Sequence, residues 1–106
     1  MADKMPDSDS RYVVLVRFKT KDGQEEAYKR EMREVFPKIR REPACVEITG
    51  HQDPDDPSSF MVFEIWTSEA EFQEFVSERD YMQDYFARAG KLWAGDRDLT
   101  TWTAVG

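Results

Sequence analysis

Two runs of consecutive apolar residues constrain the fold of this chain more than any other feature. Residues 13–16 read VVLV, and residues 61–66 read MVFEIW, in which Glu64 is the only charged side chain. A strand with one face in water alternates apolar and polar residues, whereas a strand that is covered on both faces need not. Both runs therefore predict strands in a sheet that is covered on both sides.

The rest of the sequence pattern predicts a β-α-β-β-α-β order around these strands. Apolar residues recur at helical spacing after the turn signal that ends at Gly23, and again after the capping box that begins at Ser68. Between them, a polar loop joins two consecutive strands into a predicted antiparallel hairpin. The predicted strands span residues 11–20, 45–51, 59–67 and 97–105, and the helical regions follow Gln24 and Ser68.

Both predicted helical regions contain a possible interruption. Pro37 lacks an amide donor and clashes with the carbonyl four residues back, so the first helix is expected to kink there or to stop near Phe36. A polar gap over residues 77–80 leaves open whether the second region is one helix or two. Gly90 or Gly95 is expected to end it.

The predicted order is that of a ferredoxin-like α+β domain with a four-stranded antiparallel sheet. In this fold the helices pack on one face of the sheet and leave the other face bare. A second copy of the chain is the simplest cover for an apolar bare face, so the sequence predicts a homodimer packed sheet against sheet. A standard interface of about 800 Å² per partner is enough for a stable dimer of this kind.

Composition limits the classes of partner. The chain has 106 residues, of which 11–106 are expected to form one domain and 1–10 a disordered polar tail. The formal net charge of -7 opposes binding to nucleic acid or to an anionic membrane, and no apolar stretch approaches a membrane span. The single cysteine, Cys45, is best explained as a small buried hydrophobe and favours a reducing, cytoplasmic environment.

Several short motifs resemble the antibiotic biosynthesis monooxygenase (ABM) family. The segment REPACVEI at residues 41–48 is followed by Asp53-Pro54, by Phe60 and by Glu64-Ile65-Trp66, in the order and spacing of that family. The resemblance covers about residues 11–104. It implies a dimeric α/β barrel and cofactor-independent oxygenation of a small electron-rich aromatic compound, such as a phenol or quinol.

The chain also departs from the family pattern at individual positions. Ala44 replaces a usual glycine, and Phe75 and Asp80 stand where many members carry histidine. Quinone-forming relatives pair an asparagine with the tryptophan of strand three, and Val62 occupies that asparagine position. Haem-degrading relatives use a histidine that residues 81–89 lack. A non-catalytic dimeric module that binds a hydrophobic metabolite is therefore the alternative hypothesis.

Three residues are candidates for catalysis. The indole of Trp66 could stack on an aromatic substrate, or it could simply fill the end of the strand. Glu64 has the parity of Trp66 and faces an apolar layer, where it could act as a general base or pair with Arg17 or Arg97. His51 could shuttle protons through water, or it could be a solvated histidine at the end of a strand.

The predicted substrate pocket is aromatic and needs neither metal nor cofactor. The second helical region concentrates aromatic side chains, and the hydroxyls of two tyrosines could line a pocket between helix and sheet. The aspartates after His51 lack a second histidine or a glutamate cluster, so no metal site is expected. The predicted pocket residues are Val62, Phe72, Tyr81, Tyr85 and Phe86.

Overall fold

A computed structural model describes residues 11–105 of the chain, and the predicted tail at residues 1–10 lies outside them. Within the described part, strands and helices follow the predicted order, and the second helical region is two helices. Their bounds are β1 Tyr12–Lys19, α1 Glu25–Arg40, β2 Cys45–Gln52, β3 Ser59–Trp66, α2 Glu69–Glu78, α3 Asp80–Ala89 and β4 Asp98–Thr103.

The four strands form one antiparallel sheet in the order β2-β3-β1-β4. The two strands that contain the apolar runs, β1 and β3, are the two central strands. They align so that Val14 lies opposite Glu64 and Val16 lies opposite Val62. The helices pack on one face of this sheet, which confirms the predicted ferredoxin-like α+β fold.

The hydrophobic core lies between the inner face of the sheet and the helices. Aromatic rings dominate it, and the ring of Phe18 packs within 6 Å of those of Tyr28, Phe60 and Trp93. Trp66, Tyr28 and Val14 are its largest fully buried side chains. Sheet and helices are therefore joined mainly by apolar contact.

The outer face of the sheet carries an apolar centre with a polar border. Side chains of β1 and β3 with the opposite parity to the core remain partly exposed there, and Trp102 on β4 is 59% exposed. Arg17 and Asp98 border the patch with an exposed ion pair at 3.8 Å. We call this surface the outer patch; its centre consists of Val13, Leu15, Met61, Phe63 and Ile65.

Helix α1 does not stop near Phe36, because it continues through Pro37 to Arg40. Pro37 is exposed, so water can bind the carbonyl that loses its helical hydrogen bond. Ile39 in the next turn is buried against the core and holds the helix end in place. Burial of the apolar stripe thus outweighs the local cost of proline.

Local signals set the other helix boundaries as expected. The turn before α1 contains Gly23 at a φ of 79°, a left-handed conformation that favours glycine. The Ser68 hydroxyl accepts a hydrogen bond from the Glu71 amide at the start of α2. Arg79 has an extended backbone that separates α2 from α3, and α3 ends just before Gly90.

Candidate functional site

A cavity of about 260 Å³ lies between the inner face of the sheet and the helices. It lies over Val62 and Glu64 on β3, between the larger inward side chains Phe60 and Trp66, which do not line it. Apolar and aromatic residues form most of the wall. The polar side chains among the lining residues are Tyr12, Tyr28, Glu64, Gln73, Tyr85 and Arg97.

Strand periodicity places Glu64 in this cavity. Residues two apart on a strand face the same way, so Glu64 shares the inner face with Val62 and Trp66. The Trp66 indole Nε1 donates a hydrogen bond of 2.8 Å to Glu64 Oε1. The Trp66 ring is fully buried, with its centroid 4.6 Å from that of Phe75 and 5.5 Å from that of Phe72. The buried indole of Trp66 therefore fixes the position of the Glu64 carboxylate through a hydrogen bond from within the core.

Burial raises the pKa of Glu64 to about 7. Loss of hydration disfavours the carboxylate, while the hydrogen bond from Trp66 and the charge of Arg97 act in the opposite direction. Within residues 11–105, Glu64 has no ion-pair partner within 4.0 Å. A carboxyl group that titrates near neutral pH can take a proton from a bound molecule and later release it.

Tyr28 of α1 and Tyr85 of α3 meet in the cavity wall, with their hydroxyl oxygens 2.8 Å apart. Burial raises the pKa of both phenols, that of Tyr85 to about 12. Both are therefore protonated at neutral pH. They can offer hydrogen bonds to a bound oxygen atom, but they are poor bases.

Arg97 lies at the open end of the cavity, next to Leu99, which is 45% exposed. Its guanidinium carbon lies 4.4 Å from the ring centroid of Trp93 and 5.3 Å from that of Phe86. Such stacking fixes the plane of the guanidinium group and leaves its edge available to a ligand.

The cavity brings together five of the eight predicted site residues. Glu64 lines it together with four of the predicted pocket residues, namely Val62, Phe72, Tyr85 and Phe86. Tyr81 lies elsewhere, because its hydroxyl donates to Glu42 Oε2 at 2.6 Å. Arg79 binds the same carboxylate through two hydrogen bonds of 2.9 Å, so this cluster joins the start of α3 to the connection between α1 and β2.

The structure places Trp66 and His51 outside the cavity. Trp66 is fully buried beneath Glu64. His51 is exposed on the opposite face of the sheet, where it pairs in register with Met61 and its Nε2 lies 2.9 Å from Thr49 Oγ1. The alternative prediction that Glu64 pairs with Arg17 or Arg97 is wrong. Arg17 faces outward and contacts Asp98, and Arg97 lines the cavity without lying within 4.0 Å of the Glu64 carboxylate.

Sequence reasoning missed Tyr28 and Trp93 as cavity residues and considered Arg97 only as a partner for Glu64. Tyr28 carries the one hydroxyl in the apolar stripe of α1, and that hydroxyl was the available signal. For Arg97 there is no comparable signal, because it lies in the connection between α3 and β4.

Cys45 is a free thiol whose pKa burial raises to about 11, which makes it unreactive.

Residues 11–105 contain neither a membrane-spanning helix nor a metal-ligand cluster. No helix in this part of the chain is both long enough and apolar enough to cross a membrane. Across the same residues, no group of three histidine, cysteine, aspartate or glutamate side chains could hold a metal ion.

Solved structures similar to this one share its whole fold. A conserved protein from Methanosarcina mazei superposes with a TM-score of 0.86 at 12% identity, covering 93% of this chain and 97% of that one. A provisionally named antibiotic biosynthesis monooxygenase from Nitrosomonas europaea gives 0.86 at 21%, covering 92% of each chain. Another from Chloroflexus aurantiacus gives 0.79 at 26%, covering 92% and 95%.

Sequence comparison gives the family. Among curated proteins, none matches this chain. The family model described as antibiotic biosynthesis monooxygenase matches residues 11–88, which include β1 through most of α3 and therefore Glu64, Trp66 and the Tyr28–Tyr85 pair. This confirms the resemblance seen in the motifs of strands two and three. The chain belongs to the antibiotic biosynthesis monooxygenase family.

Proposed function

We propose that this protein is a cofactor-independent monooxygenase that oxidises a small phenol or quinol in the cavity over Glu64. The observation that carries the proposal is a carboxylate, with a pKa of about 7, in an otherwise largely apolar and aromatic cavity. Such a group can remove the acidic proton of a phenol while the surrounding rings pack against its aromatic body. Membership of the ABM family supports the same reaction class.

The proposed reaction consumes one phenol and one O₂ and yields one quinone and one water. Glu64 takes the hydroxyl proton, and the resulting phenolate donates an electron pair to O₂ from a ring carbon that is ortho or para to the oxygen and carries a hydrogen. A carbon–oxygen bond forms, giving a hydroperoxide once the distal oxygen is protonated. Loss of the hydrogen on that carbon as a proton and cleavage of the oxygen–oxygen bond then leave one oxygen in the quinone and one in water.

Each residue has a limited role in this scheme, because the substrate supplies the electrons. Glu64 is the catalytic base. Trp66 is a positioning residue that acts through Glu64, since its buried ring cannot stack on a ligand in the cavity. Tyr85, whose hydroxyl pairs with that of the fully buried Tyr28, donates a hydrogen bond to a second oxygen of the substrate. The apolar wall excludes water that would otherwise compete for the reactive carbanion.

We further propose that the protein acts as a homodimer joined through the outer patch. Its five central residues come from the two central strands and form a continuous apolar surface bordered by polar side chains. Contiguous apolar patches with a polar rim are typical of protein interfaces. A reducing cytoplasm suits such a protein, whose single cysteine is free.

Oxygen consumption tests the proposed activity directly. The purified protein is incubated under air with a panel of hydroquinones, naphthols and anthrones, and consumption of O₂ is measured with an electrode. We expect turnover of at least one compound and a loss of roughly 100-fold or more in Glu64→Gln. Glu34→Gln is the matched control, because Glu34 is exposed on α1 and makes the same chemical change away from the cavity.

The alternative function is binding of an aromatic metabolite without turnover. One observation favours it: the two phenols in the cavity wall have raised pKa values, so Glu64 has no second group of suitable pKa to pass its proton to. Titration of the same panel by tryptophan fluorescence distinguishes the functions. Tight binding without O₂ consumption by any compound would support the binding module and contradict the enzyme.

A further inference from the structure

Arg97 lines the cavity and is held in place without a carboxylate partner. Arg17, Arg79 and Arg88 form ion pairs with Asp98, Glu42 and Glu31. Arg97 has no carboxylate within 4.0 Å among residues 11–105, although it is held over two aromatic rings at the open end of the cavity. Stacking uses the faces of the guanidinium group, so its in-plane N–H donors remain available.

A second donor on the same wall also lacks an acceptor. Trp93, over whose ring Arg97 lies, is a lining residue of the cavity. Its indole Nε1 is buried and has no hydrogen-bond partner within the described part of the chain. Buried donors without partners are uncommon in proteins. Arg97 thus supplies the accessible donors and the positive charge of this wall, whereas Glu64 supplies the acceptor and the negative charge of the cavity.

We infer that Arg97 selects ligands that carry a carboxylate, which it binds at the mouth of the cavity while the phenol of the ligand points toward Glu64. The inference rests on the proposed binding of an aromatic compound in this cavity. A guanidinium edge matches a carboxylate through two parallel hydrogen bonds. Without this cation, the net charge of -7 would disfavour an anionic ligand.

Charge also determines which way round such a ligand lies. Its carboxylate would be repelled by ionised Glu64 and attracted by Arg97, and both residues line the same cavity. The opposite end of the ring, which carries the hydroxyl, is then directed to Glu64. Arg97 is therefore a positioning and specificity residue, and it takes no part in proton transfer.

Affinities for a matched pair of ligands test the inference. The probes are a hydroxynaphthoate, with hydroxyl and carboxylate at opposite ends, and its uncharged methyl ester, titrated by calorimetry at pH 8. The proteins are the wild type, Arg97→Gln, Arg97→Lys and Arg30→Gln. Arg30→Gln is the matched control, because Arg30 is exposed on α1 and removing it changes the net charge equally.

We expect the wild type and Arg30→Gln to bind the acid about tenfold more tightly than the ester, as one partly exposed charge-assisted contact allows. In Arg97→Gln the two affinities should become equal while that of the ester stays within about twofold, and Arg97→Lys should be intermediate. Equal affinities of the wild type for acid and ester would overturn this inference but not the proposed function. A preference for the acid that survives in Arg97→Gln would do the same. Failure of both probes to bind the wild type would also overturn this inference, whereas the proposed function is decided separately by O₂ consumption with the panel of hydroquinones, naphthols and anthrones.

Discussion

The indole N–H of Trp66 donates to the carboxylate of Glu64, two residues earlier on the same face of β3. The tryptophan is fully buried, whereas the carboxylate reaches the cavity. The hydrogen bond favours the ionised carboxylate and opposes the effect of burial on its pKa. β3 thus provides both the ionisable carboxyl group of Glu64 and the indole of Trp66, which limits the rise in the pKa of that carboxyl group.

Replacing Trp66 with phenylalanine should raise the pKa of Glu64 above about 7, because the ionised form loses its hydrogen bond. Most of the ring packing is retained. Titration of the Glu64 side chain by NMR measures the shift, and the acidic limb of any kcat/KM profile should move to higher pH with it. Trp102→Phe, on the outer face of the sheet and away from Glu64, is the control and should leave the Glu64 titration unchanged. An unaltered Glu64 titration in Trp66→Phe would contradict this account.

Glu64→Gln should stabilise the protein at pH 8 more than at pH 4. The pKa of Glu64 is about 7 in the folded protein, above the usual 4.5, so the folded state holds the proton more tightly than the unfolded state. Its favourable contribution is complete below about 4.5 and is lost as the pH rises through 7. We expect a difference on the order of 2 kcal/mol between the two pH values, measured as wild type against variant by urea denaturation. Glu34→Gln should show no such difference between the two pH values. If Glu64→Gln also showed none, the Glu64 carboxylate would be solvated in the folded protein.

Removing either hydroxyl of the Tyr28–Tyr85 pair should leave the other without a partner. Tyr28→Phe and Tyr85→Phe are each expected to lower the free energy of unfolding by about 1 to 2 kcal/mol. The double variant should lose less than the sum, since no buried hydroxyl is then left unpaired. Urea denaturation of the two single variants and the double variant gives the coupling free energy between the two hydroxyls. Tyr12→Phe, on a tyrosine without a hydroxyl contact among the described residues, is the control, and strictly additive losses would contradict a direct bond.

A lysine in the outer patch should separate the proposed dimer. Phe63 lies at the centre of the patch, so Phe63→Lys would bury an unpaired charge in a sheet-on-sheet interface. We expect the wild type to sediment as a dimer at micromolar concentration and the variant as a folded monomer. Ala87→Lys, on the exposed side of α3, should remain dimeric. A monomeric wild type would remove the basis for the interface.

Several parts of the fold could be predicted because their causes lie within a few residues of sequence. The apolar runs predicted β1 and β3 as strands, and the Ser68 hydroxyl caps α2 through a residue three positions away. Strand parity placed Glu64 on the inner face for the same local reason. The end of α1 was predicted less well, because burial of Ile39 against distant residues decided it.

The composition of the site required the tertiary structure. Tyr28 and Tyr85 are 57 positions apart, and Arg97 lies 33 positions beyond Glu64, so their meeting depends on strand order and helix packing. The same holds for the placement of His51 on the far face, which follows from its register with Met61.

The sequence by itself determined the order of the elements, the face on which Glu64 lies and the family. These follow from side-chain periodicity and short motifs, which are local properties of the chain. Only the tertiary structure decided that the buried Trp66 indole donates a hydrogen bond to Glu64 and that Arg97 lines the cavity. The physical reason is that a cavity is defined by what distant elements leave unfilled, and no local pattern encodes that space.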